Sequence, residues 1–63
     1  MEFNMIYAVL PKGQAPFPVM PVSRSLSKAA SEAKRRAAAE KMNYVIWAGT
    51  DDGAFQPVRE VAG

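Results

Sequence analysis

The sequence predicts an α+β domain of ββαββ order, a mostly antiparallel four-stranded sheet with one helix packed on one face. Three observations lead there. One long stretch, Ser25 to Met42 (SLSKAASEAKRRAAAEKM), is dense in Ala, Lys, Arg and Glu and free of Gly and Pro, the composition of a helix. Short runs of aromatic and branched residues flank it on both sides, bounded by turn residues. At 63 residues the chain holds one small domain, spanning 1–63.

Within the helix, Ser25 is the natural N-cap, since its hydroxyl can accept from an orphan N–H two or three residues on, with Ser27 as the competing cap. Asn43 is the expected left-handed C-cap. On a wheel centred on Leu26, Ala30, Ala33 and Ala37 fall beside it and Ala29 flanks them, an inner face made almost wholly of methyl groups. Such a face permits close approach to a sheet but buries little area, so the opposing layer must supply the bulk of the core. The outer side carries Arg24, Lys28, Ser31 and Arg35, flanked by Lys34, Arg36 and Lys41. Glu32 and Arg36, and Arg36 and Glu40, are i,i+4 neighbours suited to ion pairs.

Ahead of the helix, Phe3 to Leu10 (FNMIYAVL) reads as a strand with Phe3, Met5, Tyr7 and Val9 on one face and Ile6, Ala8 and Leu10 on the other. Both faces are apolar, as in a strand that is central or covered on both sides. Pro11 to Gln14 is a turn. Phe17 to Val22 reads as a poorer second strand. Pro16 and Pro18 share one parity and suit an edge, whereas Pro21 has the other and ends the pairing; the alternative is an extended, unpaired segment. After the helix, Tyr44 to Ala48 (YVIWA) is the strongest strand signal. Gly49 to Gly53 forms a hairpin loop, and Ala54 to Val61 returns, with Pro57 marking an edge or a bulge.

Composition narrows the chemistry. The chain has no Cys and no His, so disulfides, thiolate metal sites and histidine bases are excluded. The four serines from Ser23 to Ser31 have no partner base other than surface lysines. Asp51 and Asp52 are adjacent in a turn, where their carboxylates diverge, and TDDG is too short for a calcium loop. No glycine opens a phosphate-binding run. The expectation is a non-enzyme without cofactor or metal. The first residues, MEFNMIYAVLPKG, lack a basic leader, and no run approaches the ~20 apolar residues of a membrane span, so a cytoplasmic chain with no membrane partner is expected.

The net charge of +2 is unevenly placed. Six of the eight basic residues lie between Arg24 and Lys41, opposed only by Glu32 and Glu40, so that segment carries +4 and the remainder −2. A basic helix on a slightly acidic body points to an anionic partner, against the plain reading of a solvated outer face.

A strand, a serine-capped basic helix (SLSKAASEAKRRAAAEK) and a hairpin (YVIWAGTDDGAF) together resemble small phage-encoded proteins, including anti-CRISPR inhibitors, over about two-thirds of the chain. The resemblance implies a compact, non-catalytic protein that attaches to a host protein or nucleoprotein complex. It carries over no functional residue.

Two surfaces are therefore candidates. One is the basic helix side, Arg24, Lys28, Lys34, Arg35 and Arg36. The other is a surplus of apolar groups in the sheet, with Trp47 and Tyr44 as anchors of the kind that dominate interfaces. The leading expectation is an interaction protein that binds a larger protein or protein–nucleic acid complex. The alternatives are a nucleic-acid-binding module and an accessory subunit stable only as an oligomer such as a homodimer.

Overall fold

A computed structural model describes residues 5–17, 22–50 and 54–63. Its elements run β1 (Ile6–Pro11), α1 (Leu26–Glu40), β2 (Tyr44–Gly49) and β3 (Phe55–Val61). The described strands form one sheet in the order β1-β2-β3, antiparallel at both joints. The expected four-stranded ββαββ arrangement is thus corrected to a three-stranded βαββ one. Of the expected strand from Phe17 to Val22, residues 18–21 lie outside the described residues, and Phe17 and Val22 belong to no strand. Beside it, among the described residues, one bridge joins Ser23 to β1. The Tyr7 N–H donates to the Ser23 carbonyl at 2.7 Å and the Ser23 N–H to the Tyr7 carbonyl at 2.8 Å.

Because Tyr7 uses both its backbone groups on Ser23, antiparallel alternation leaves residues 8, 10 and 12 to bond β2. The Lys12 N–H accordingly donates to the Asn43 carbonyl at 3.0 Å. By the same alternation, residues 44, 46 and 48 bond β3, and Pro57, paired with Trp47, points its missing donor outward, where it costs no ladder bond. The register shifts between Ile46 and Trp47, which pair with Arg59 and Pro57, so Val58 is the extra residue of a bulge. Pro57 therefore marks both an edge and a bulge. β1 is likewise an edge strand rather than a central one, and β2 takes the centre.

The helix is capped as its first residues predict. Ser25 is extended at φ −116 and ψ 120, and its hydroxyl accepts from the Lys28 N–H at 3.2 Å. The C-terminus departs from expectation. Lys41, not Asn43, takes the left-handed conformation at φ 55, and the Met42 N–H closes back on the Ala37 carbonyl at 3.2 Å. Asn43 is engaged elsewhere: its amide donates to Glu60 at 2.6 Å and its side-chain oxygen accepts from the Gly63 N–H at 3.1 Å. Lys12 adds an ion pair to Glu60 at 3.2 Å. The Asn43 amide first, and the Lys12 ammonium with it, hold the Glu60 carboxyl below its ordinary range. One carboxylate thereby ties the turn after β1 to the start of β2.

Ala29, Ala33 and Ala37 are the buried residues of α1, one full turn apart. They meet Tyr44 and Ile46, with Tyr7, Val9, Ala30 and Val61 packed around them. Leu26, expected at the centre of this face, is 40% exposed. Across the sheet a second, smaller cluster joins Ala8 and Leu10 to Trp47 and Phe55. β1 is therefore covered on both faces although it is an edge. Gly49 permits the closing hairpin: a Cβ there would lie 2.5 Å from the Ala54 carbonyl oxygen and 2.7 Å from the Phe55 ring.

This packing predicts a sharp contrast between two alanines of one helix. Ala33 is fully buried and Ala38 exposed. Ala33→Leu should overpack the seam and destabilise by about 1–3 kcal/mol, whereas Ala38→Leu should be nearly neutral. Denaturant melts of the two variants check this, and equal midpoints would show the helix to be seated differently.

Candidate functional site

The basic residues of α1 divide by their position on the wheel. At about 100° per residue, Lys28, Glu32 and Arg36 form one ridge at i, i+4 and i+8, with Arg35 beside it and Lys34 on the far side of the helix. Arg24 precedes the cap and is exposed. The structure therefore brings Lys28, Arg35 and Arg36 together and leaves Lys34 apart. Glu32 is the hub of the group: one carboxylate oxygen accepts from Arg35 Nη2 at 2.8 Å and from Arg36 Nε at 2.9 Å. The Arg35 hydrogen bond first, with the charges of both arginines outweighing desolvation, holds the Glu32 carboxyl below its ordinary range. Among the described residues, Arg24, Lys28 and Lys34 have no carboxylate partner.

The expected Arg36–Glu40 pair does not form. Glu40 instead accepts the Tyr44 hydroxyl at 2.5 Å. That bond raises the Tyr44 phenol above its ordinary value, because ionising it would set two anions side by side. Tyr44 faces the helix at 3% exposure, inside the main core. Trp47, three residues on, lies on the opposite face of the sheet, half-buried against Ala8 and Leu10. The two aromatic anchors named from the sequence thus belong to different layers. The Trp47 indole nitrogen is shielded from water and has no hydrogen-bond partner among the described residues.

The helix-free face of the sheet combines Trp47 with Ile6, Val45 and Phe55, all half-buried. The edges offer less. Pro57 and the bulge at Val58 interrupt β3, and Ser23 occupies β1 at Tyr7.

A third feature escaped sequence reasoning. A groove of about 500 Å³ runs between α1 and β1. Its apolar wall includes Val9, Phe17, Val22 and Ala29, and its polar wall Tyr7, Tyr44, Lys28, Glu32 and Arg36. The signal was a Lys in the first helical turn, together with Phe17 and Val22 in a stretch too rich in proline to hide them in a sheet. Among the described residues no group of His, Cys, Asp and Glu could hold a metal ion. Asp51 and Asp52 lie outside the described residues. No helix among the described residues is long and apolar enough to cross a membrane.

No protein-family model matches this chain, and neither a curated protein nor a solved structure matches it.

The Tyr44–Glu40 bond carries a pH signature. A phenol held above its ordinary value of about 10 adds stability that is complete below that value and is lost as pH rises through the folded-state pKa. Wild-type melting temperature should therefore fall on the alkaline side more steeply than that of Tyr44→Phe, which should be less stable at neutral pH. Parallel alkaline limbs would show that the bond does not persist in solution.

Proposed function

We propose that this chain is a small non-enzymatic interaction protein that binds a host protein or nucleoprotein complex, in the manner of phage-encoded inhibitors. Its working surface is the helix-free face of the sheet. One observation carries the reading: the single helix covers one face, and the other keeps Trp47, Phe55, Val45 and Ile6 partly open to water. Aromatic and branched side chains gathered on one face are the usual core of a protein interface. Backbone pairing at the sheet edges is a poorer route, because Pro57 and the bulge break β3.

The test is affinity capture with four baits, quantified by mass spectrometry. The wild type and an Arg35→Ala bait should retain the same host protein, while Trp47→Ala or Val45→Lys should lose it, each variant first shown to be folded by circular dichroism. Retention by the two sheet variants would overturn this surface. Light scattering over a range of concentrations separates the oligomer reading, in which the mass itself doubles through the same face.

A second reading rests on the gathering of Lys28, Arg35 and Arg36 on one flank, close in sequence to Arg24: electrostatic binding of nucleic acid. Affinity should then fall steeply with salt, in proportion to the phosphates contacted. The helix presents no aromatic side chain for base stacking, so sequence preference should be slight. Anisotropy titrations at two salt concentrations measure the slope. Binding that survives replacement of Arg24, Lys28 and Arg35 by Ala, or no binding at low salt, would remove this reading.

A further inference from the structure

We infer that the groove between α1 and β1 binds a small organic monoanion with an apolar body, of the class of medium-chain or aromatic carboxylates. Its size suits such a ligand: about 500 Å³ falls within the roughly 300–1,000 Å³ of small-molecule sites. Its walls suit the apolar body. Ala29 and Val9 line it, and Phe17 and Val22 border it while remaining 45% and 49% exposed. Large apolar side chains left in water beside a concave surface gain from a ligand that covers them.

The charge on the ridge selects the head group. Lys28, Glu32 and Arg36 span ~12 Å of the groove wall at 1.5 Å per residue. Arg36 is already engaged by Glu32 at 2.9 Å, whereas Lys28 has no carboxylate partner among the described residues. Glu32 is shared by Arg36 and by Arg35, which lies outside the groove, so Lys28 is the one cation of the groove wall left for a ligand. That matches one negative charge, while a dianion such as phosphate would crowd against Glu32. Helix stability does not explain Lys28, because a cation in the first turn opposes the helix dipole and α1 has no acidic residue there. The Tyr7 hydroxyl, in the same wall and without a partner among the described residues, is a donor for the second carboxylate oxygen. The groove lies on the helix side of the sheet, so this site does not depend on the face around Trp47.

The experiment titrates the isotope-labelled chain with sodium octanoate, octanol and inorganic phosphate and follows backbone amide shifts. Octanoate should move Val9, Phe17, Val22 and Ala29 saturably and leave Trp47 and Phe55 in place. Octanol should bind at least about fivefold more weakly, as loss of one charge-assisted contact implies, and so should phosphate, which lacks the apolar body. Lys28→Glu should weaken octanoate by at least the same factor. That variant stays folded, because Glu at the third helical position completes a capping box with Ser25. Absence of saturable shifts at millimolar octanoate would overturn the site. So would shifts centred on Trp47 and Phe55, octanol binding as well as octanoate, or undiminished affinity in Lys28→Glu.

Discussion

The fold depends on one contact, the seam of three alanine methyls at Ala29, Ala33 and Ala37 laid on Tyr44 and Ile46. Alanine at every inner position lets the helix backbone come close to the sheet, but each methyl removes little apolar area from water. Ile46 is the largest fully buried side chain in the described chain, so the sheet supplies most of what the core contains. A helix this lean covers only part of the sheet. β3 meets the main cluster at Val61, and positions 56 to 60 of it are all exposed. The uncovered surface of β3 follows from the small residues that let the helix dock. A domain of this size buries only about 60% of its unfolded surface, and a lean seam leaves little reserve.

Polar bonds do for this chain what a larger core does elsewhere. Three segments distant in sequence meet at Asn43 and Glu60, and the helix is fastened to the start of β2 by Tyr44 and Glu40. The bonds at Asn43 and Glu60 are mutually connected, which favours one geometry over near alternatives. The helix itself is electrostatically plain: no acidic residue in the first turn, no basic residue in the last, and one carboxylate shared by two arginines between them. A sequence shaped for helix stability alone would place those charges the other way round.

The parts of the fold legible in the sequence were those set by local chemistry. Ser25 as the cap, the helix body, β2 and the edge character of Pro57 all follow from side-chain identity within a few residues. The misread parts were set at a distance. Lys41 takes the left-handed position, while the Asn43 side chain bonds Glu60, seventeen residues further on. Arg36 turns to Glu32 because Glu40 is held by Tyr44, and the i,i+4 rule allows either choice. Ahead of the helix the described residues meet β1 through a bridge at Ser23, a pairing that hydrophobic alternation does not encode. For the candidate sites, the wheel already placed Lys28 and Arg35 on one side. Parity also put Tyr44 and Trp47 on opposite faces, yet the groove could not be foreseen without knowing where Phe17 and Val22 come to lie.

Strand parity has sorted the aromatic residues by face. The chain has one tryptophan and two tyrosines. Both tyrosines line the groove under the helix, while Trp47 lies on the other side of the sheet. The two surfaces therefore carry different natural chromophores. Light absorbed at the red edge of the indole band excites Trp47 without the tyrosines and so interrogates the open face alone. The unmodified chain therefore carries its own reporter for that face, one that a ligand seated only under the helix leaves unchanged.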